Sequence, residues 1–204
     1  MKQRVAEILL NINAVELSPD APFTWASGIQ SPIYCDNRKI IGDVEARNEI
    51  ADAFVRQIKN HTPDIEVIAG TSTAGIPHAA YISEKLGLPM CYVRGSKKKH
   101  GKGNQIEGSS VSGKKVVLVE DLISTGGSCL EAAEALKEHS ADLMAVVAIF
   151  TYGIPSSKQA FHEAMLPLYT LSDLDTLINV SIERGAITET QKKTVLDFRE
   201  NLSK

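Results

Sequence analysis

Two adjacent carboxylates, Glu120 and Asp121, follow directly on four apolar residues, 116–119 (VVLV), and precede a small, hydroxyl-rich stretch, Ser124-Thr125-Gly126-Gly127-Ser128. A continuous β-branched and aliphatic run of this kind reads as a short strand buried on both faces. Small residues that turn from such a strand into a helix leave backbone N–H groups and a helix N-terminus open to an anion. Carboxylates accept hydrogen bonds from hydroxyl groups. A phosphorylated sugar satisfies both halves of the pattern at once. A purely structural turn is the alternative, although crowding two acids together without a partner is costly.

A second chemical segment spans residues 94–108 (RGSKKKHGKGNQIEG). It sets Arg94, Lys97, Lys98, Lys99 and Lys102 against a single acid, Glu107, with four glycines and His100 between them. Three readings fit. A solvated basic loop is the plainest. A nucleic-acid patch is the second, but no aromatic residues are interleaved to stack bases. The third is a glycine-jointed lid whose cations close over a polyphosphate, and the length of the segment favours it. A hydrophobic strand ending in two acids also occurs in nucleoside triphosphatases. That chemistry needs a GxxxxGK loop followed by Ser or Thr, and neither it nor a GxGxxG motif opening a helix is present.

The elements that must position these groups alternate along the chain. Val5, Ile8, Leu9 and Ile12 predict an amphipathic helix over the first dozen residues. Residues 21–38 (APFTWASGIQSPIYCDNR) predict a hairpin with strands at 23–25 and 33–35. It is either a packed surface hairpin anchored by Trp25 or a hood that brings Ser27, Tyr34 and Arg38 to a ligand. Asp43 caps a predicted helix to about residue 60, with Val44, Ile50, Phe54, Val55 and Ile58 inward. Strand 67–69 runs into Gly70-Thr71-Ser72-Thr73-Ala74-Gly75, a second strand–loop–helix unit, with Pro77 suited to the helix's first turn. Further strands are predicted at 90–93, 143–150 and 168–171, and helices at 130–138, 156–164, from Ser172 or Asp173 to 184, and from Thr188 onward. Such alternation makes an α/β fold with a mostly parallel sheet flanked by helices. Ligands in such sheets gather at the carboxyl ends of the strands, so the two small-residue loops should face one crevice.

The totals set the bounds. At 204 residues, 43% apolar and 23% charged, the chain suits one globular domain. A net charge of −3 gives no global pull toward nucleic acid. Cys35, Cys91 and Cys129 are scattered without metal-ligand spacing, which suits reduced thiols in the cytoplasm. No apolar core of a signal peptide and no apolar run of about 18 residues is expected.

Over residues 116–128 the chain resembles the type I phosphoribosyltransferases, whose signature is four apolar residues, two acids, two more apolar residues and a Thr/Ser/Gly-rich loop. FTWASGIQSPIYCDNR is similar to the substrate hood of the orotate phosphoribosyltransferases within that family, and KKHGKGNQIEG to their catalytic lid. With IAGTSTAGIPHAAYIS the resemblance covers nearly the whole chain, and is nearest the Gram-positive bacterial type. It implies the type I phosphoribosyltransferase fold: one domain over 1–204, an N-terminal helix and hood over 1–40, and a mobile lid over 94–108.

The implied reaction moves ribose 5-phosphate from phosphoribosyl pyrophosphate (PRPP) to orotate, giving orotidine 5′-monophosphate and pyrophosphate in de novo pyrimidine (UMP) biosynthesis. The implied cofactor is Mg²⁺, with no direct ligand from protein side chains. The implied state is a cytoplasmic homodimer with lid residues shared across the interface, without nucleic-acid or membrane partners. The same resemblance implies Lys98, His100 and Asp121 as catalytic residues. It implies PRPP binding by Arg94, Lys98, His100, Glu120, Asp121, Leu122, Ile123, Ser124, Thr125, Gly126, Gly127 and Ser128, and orotate binding by Ser124. Three positions depart from the family pattern: Ala26 and Ala74 stand where lysines are common, and Tyr152 where other members place an orotate-contacting arginine.

Overall fold

The computed structural model describes residues 1–25, 28–95 and 105–202. Helix α1 (Lys2–Asn11) leads into four short strands, β1 (Val15–Leu17), β2 (Phe23–Thr24), β3 (Gln30–Ser31) and β4 (Ile33–Cys35). A single turn, α2 (Lys39–Gly42), and a long helix, α3 (Val44–His61), follow. Strands and helices then alternate: β5 (Val67–Thr71), α4 (Gly75–Leu86), β6 (Met90–Val93), β7 (Ile106–Gly108), β8 (Lys115–Ile123), α5 (Gly127–Glu138), β9 (Asp142–Thr151), α6 (Pro155–Glu163), β10 (Leu168–Asp173), α7 (Leu174–Glu183) and α8 (Glu189–Asn201).

The central sheet has the order β10-β9-β8-β5-β6-β7. All neighbours pair in parallel except β7, which runs antiparallel to β6 at the edge. Alternation along the strands divides the core. Val117 and Val119 of β8 join Ile68, Val147 and Leu171 against α1, α3, α4 and α7. Val116 and Leu118 point the other way, with Ala69, Val93, Val146 and Ala148, against Cys129, Ala133 and Leu136 of α5 and Phe161 of α6. Burial on both faces is the physical reason for the unbroken apolar run at 116–119. The chain leaves β5 toward β6 on one side and leaves β8 toward β9 on the other, so the order reverses between β5 and β8. That is a topological switch point, and the crevice lies at its carboxyl end.

Local signals act as expected at the helix starts. The Asp43 side chain accepts from the Ala46 N–H, Asp173 from the Thr176 N–H, and Thr188 forms a capping box with Gln191. The long-range pairings differ from the sequence reading. β2 pairs with β3, Phe23 opposite Ser31, whereas β4 pairs with β1, Val15 opposite Cys35. The single hairpin predicted over 23–35 is therefore two separate ribbons. Val44 is exposed and Val55 only half-buried, and Ala46, Ala53 and Gln57 take the inner face of α3 with Ile50, Phe54 and Ile58. β8 continues to Ile123 and so contains Glu120 and Asp121, which the sequence reading put after the strand.

Trp25 packs as an anchor. Its ring stacks on Tyr152 at 6.1 Å and meets Phe198 edge-on at 5.7 Å, and its indole N–H donates to the Ile33 carbonyl at 3.1 Å.

Candidate active site

Three cavities lie around the carboxyl ends of β5 and β8. The widest, 590 Å³, is lined by Cys35, Asp36, Arg38, Ile41, Thr73, Ala74, Pro77 and Asp121. The second, 460 Å³, lies under the N-terminal ribbons and is lined by Thr24, Trp25, Tyr34, Cys35, Leu122, Ser124 and Tyr152. Its walls are aromatic, with Ser124 as a hydroxyl, which suits a flat polar ring. A narrow slot of 110 Å³ holds Ser72, Arg94, Gln105, Glu120 and Ser128. Cys35 belongs to both larger cavities.

The two acids occupy different surroundings. Asp121 is half-buried and faces the widest cavity, while Glu120 is 8% exposed. The Asp121 N–H donates to Glu120 Oε1 at 2.9 Å. Burial first, and the neighbouring Asp121 carboxyl second, push the Glu120 carboxyl above the usual carboxylate range; the Asp121 N–H and the Thr71 hydroxyl draw it partly back. The buried His78 imidazole is lowered to about 4 by desolvation, partly offset by the charge of Asp121. Burial likewise raises the Cys35 thiol and the Tyr152 phenol.

The loop after β8 has the makings of a phosphate cradle. Gly126 starts α5 at φ +85°, and a Cβ there would sit 2.8 Å from Phe161 Cε2, so only glycine fits. Thr125, Gly127 and Ser128 are exposed. The first N–H groups of α5 have no partner inside the helix and are free for an anion. Ile123 differs from its neighbours: its side chain is buried in the core, and its carbonyl accepts from Thr151 Oγ1 at 3.0 Å and the Tyr152 N–H at 3.2 Å.

A phosphoribosyl transferase domain family profile matches residues 38–167. The Staphylococcus saprophyticus orotate phosphoribosyltransferase is 55% identical over 203 residues, with 100% of both chains covered. The chain belongs to the orotate phosphoribosyltransferase family. Leishmania donovani UMP synthase matches with a TM-score of 0.81 and 26% identity over 98% of this chain, which spans 42% of that longer protein. A Mycobacterium tuberculosis orotate phosphoribosyltransferase solved with PRPP shares the fold, with a TM-score of 0.69 and 23% identity over 86% of this chain and 98% of that one.

Of the residues that the sequence resemblance implies, Glu120, Asp121, Leu122, Ser124, Ser128 and Arg94 line these cavities. Arg94 lies 3.5 Å from Glu107, and its N–H donates to the Gln105 carbonyl at 2.8 Å. The far end of the 94–108 segment is the edge strand β7 and not loop. Lys98 and His100 lie outside the described residues, as do Ala26, Ser27, Lys97, Lys99 and Lys102. Tyr34 and Arg38 line two of these cavities. The sequence reading missed Cys35, Asp36 and Asn37. They sit in a short stretch with no periodicity, and only the tertiary fold, which bonds Asn37 to the Asp121 carbonyl, brings them to the site.

Proposed function

We propose that the chain transfers ribose 5-phosphate from PRPP to orotate, releasing pyrophosphate and forming orotidine 5′-monophosphate. The observation that carries this reading is the junction of the β8 acids with the open N-terminus of α5, beside an aromatic cavity that ends at Ser124. The loop Ser124–Ser128 would hold the 5′-phosphate with backbone N–H groups and hydroxyls. Glu120 and Asp121 would accept from the ribose hydroxyls and favour positive charge on the sugar as its bond to pyrophosphate breaks. Trp25, Tyr34 and Tyr152 would flank the orotate ring, with Ser124 giving it a hydroxyl contact. Leu122 and the main chain at Ile123 would wall the sugar.

Arg94, Lys98 and His100 would neutralise the departing pyrophosphate. We read the part of residues 94–108 that precedes β7 as the closing lid, and 1–40 as the helix and hood of one domain over 1–204. Closure excludes water from the activated sugar. In a homodimer the lid would complete the partner's site. Among the described residues no three His, Cys, Asp or Glu side chains converge on one point. Mg²⁺ keeps several waters and would take its direct oxygens from substrate, with the Glu120 and Asp121 carboxylates at the sugar site favouring its charge nearby. Bound there, it would supply countercharge to the pyrophosphate oxygens. Among the described residues no helix is long and apolar enough to cross a membrane, which is compatible with a cytoplasmic place for the reaction.

The test follows loss of the orotate ultraviolet band with PRPP and Mg²⁺ present. Orotate-dependent turnover is expected. Turnover of a purine base with none of orotate would overturn the assignment of the acceptor.

A further inference from the structure

Asn37 has no role in the chemistry above, yet it is tied to the centre of the site. Its side chain is buried, and its Nδ2 donates to the Asp121 carbonyl at 2.7 Å across 84 residues of sequence. The β5–β8 ladder ends where Gly70 faces Val119. Beyond that pair, no strand among the described residues lies on the β5 side of β8, and side chains take over the bonding. Thr71 Oγ1 donates to the Val119 carbonyl at 3.1 Å, and Asn37 serves the carbonyl two residues further on. The amide orientation follows from chemistry, because only its NH₂ can face a carbonyl.

That orientation leaves Asn37 Oδ1 buried with no hydrogen-bond partner among the described residues, as is His78 Nε2. A buried acceptor without a protein partner is costly and calls for an explanation in strain, catalysis or a bound water or ion. Asn37 also follows β4 by two residues. Its neighbours Asp36 and Arg38 line the widest cavity, and Cys35 lines both large ones.

We infer that Asn37 is a positioning residue. Its amide clamps the main chain of Asp121 to the C-terminal end of the hood, so that the sugar carboxylate and the base pocket keep one relative geometry. The inference rests on the function proposed above, and its test separates the two. Asn37→Ala, Asp121→Asn and the double variant are compared with the unmodified chain for orotate turnover, PRPP affinity by calorimetry, and urea midpoint. Misplacement of a reacting group by about 1 Å slows chemistry about 100-fold, so Asn37→Ala should lower kcat about 10–100-fold with a smaller change in the KM for PRPP.

In the Asp121→Asn background the same change should cost less than about two-fold, since residues acting as a unit are non-additive. A purely structural Asn37 would give a loss that multiplies in full in both backgrounds, and that result overturns the inference. So does a kcat within about two-fold of the unmodified chain. If the unmodified chain turns over no orotate, the functional reading fails instead. Positioning is then judged on PRPP affinity, which Asn37→Ala must weaken in the unmodified background and leave alone beside Asp121→Asn. Asn37→Ser, which keeps a short donor, replaces the alanine variant if that chain does not fold.

Discussion

The two strand-to-helix turns at the crevice look alike in sequence and differ in how their polar groups are engaged. After β5, Ser72 gives both its N–H and its hydroxyl to the Val93 carbonyl, at 3.0 and 2.6 Å. Gly75 is buried so tightly that a Cβ there would collide with Thr71 Oγ1 and the Val119 carbonyl. After β8, Thr125, Gly127 and Ser128 are exposed, as Ser72 and Thr73 are after β5, but Gly126 lifts the backbone into a left-handed turn ahead of α5. The first turn is a braced wall, and the second is an open cradle. Similar composition thus leaves a hydroxyl already bonded in one place and, on the function proposed above, donors open to an anion in the other, and what separates them is which donors the fold has already used.

The comparison breaks most sharply at Gly126. Gly126→Ala forces a side chain into positive φ and against Phe161, which should destabilise the chain by about 2–6 kcal/mol in urea unfolding and abolish tight PRPP binding. Gly127→Ala is its control, because a Cβ there meets no described atom within 4 Å; its urea midpoint should barely move. Equal losses for the two would mean that the cradle is not held by Gly126.

Asp121→Asn leaves the turn intact and removes its charge. A fall in kcat of about 10²–10³-fold with little change in melting temperature is expected. Mixed with Lys98→Ala chains, it should regain activity in proportion to the heterodimers formed; heterodimers without recovery would count against a site shared between protomers.

Glu120→Gln probes the buried acid between wall and cradle. In the folded chain the Glu120 carboxyl holds its proton to higher pH than its ordinary value of 4.5. Just above that value the folded chain therefore carries a proton that the unfolded chain has lost, and rising pH weakens the fold. Urea unfolding from pH 5 upward should show this decline in the unmodified chain and a flatter profile in Glu120→Gln; parallel profiles would remove the acid from the linkage. PRPP affinity should rise over the same range, as the ionised carboxyl becomes the better acceptor for ribose hydroxyls.

Ser72→Ala has the smallest expected effect. It removes one hydroxyl already bound to Val93, so stability should fall by about 0.5–1.5 kcal/mol with kcat nearly unchanged. A loss of rate well beyond the loss of stability would make the wall a second cradle.

Local chemistry was readable from the chain alone. The run 116–119 demanded a doubly buried strand. The adjacent acids and the Ser/Thr/Gly stretch read as the strand end and turn that the structure sets at the crevice, the basis of the sugar-phosphate site proposed above. Asp43, Asp173 and Thr188 announced helix starts whose capping bonds reach only three residues away. Each of these depends on neighbours in sequence.

The tertiary structure decided what depends on distant partners. Phe23–Thr24 pairs with Gln30–Ser31, and Ile33–Cys35 turns to Val15–Leu17 instead, because such short strands carry too little pattern to choose their own register. Trp25 became an anchor only where Tyr152 and Phe198 meet it. Burial separated Glu120 from Asp121, two residues of like chemistry, according to which side of β8 each takes. Asn37 reached Asp121 because β5 ends before β8 does. The donors and acids of this site are thus written in the sequence, whereas their freedom to act is set by which of them the fold leaves unbonded.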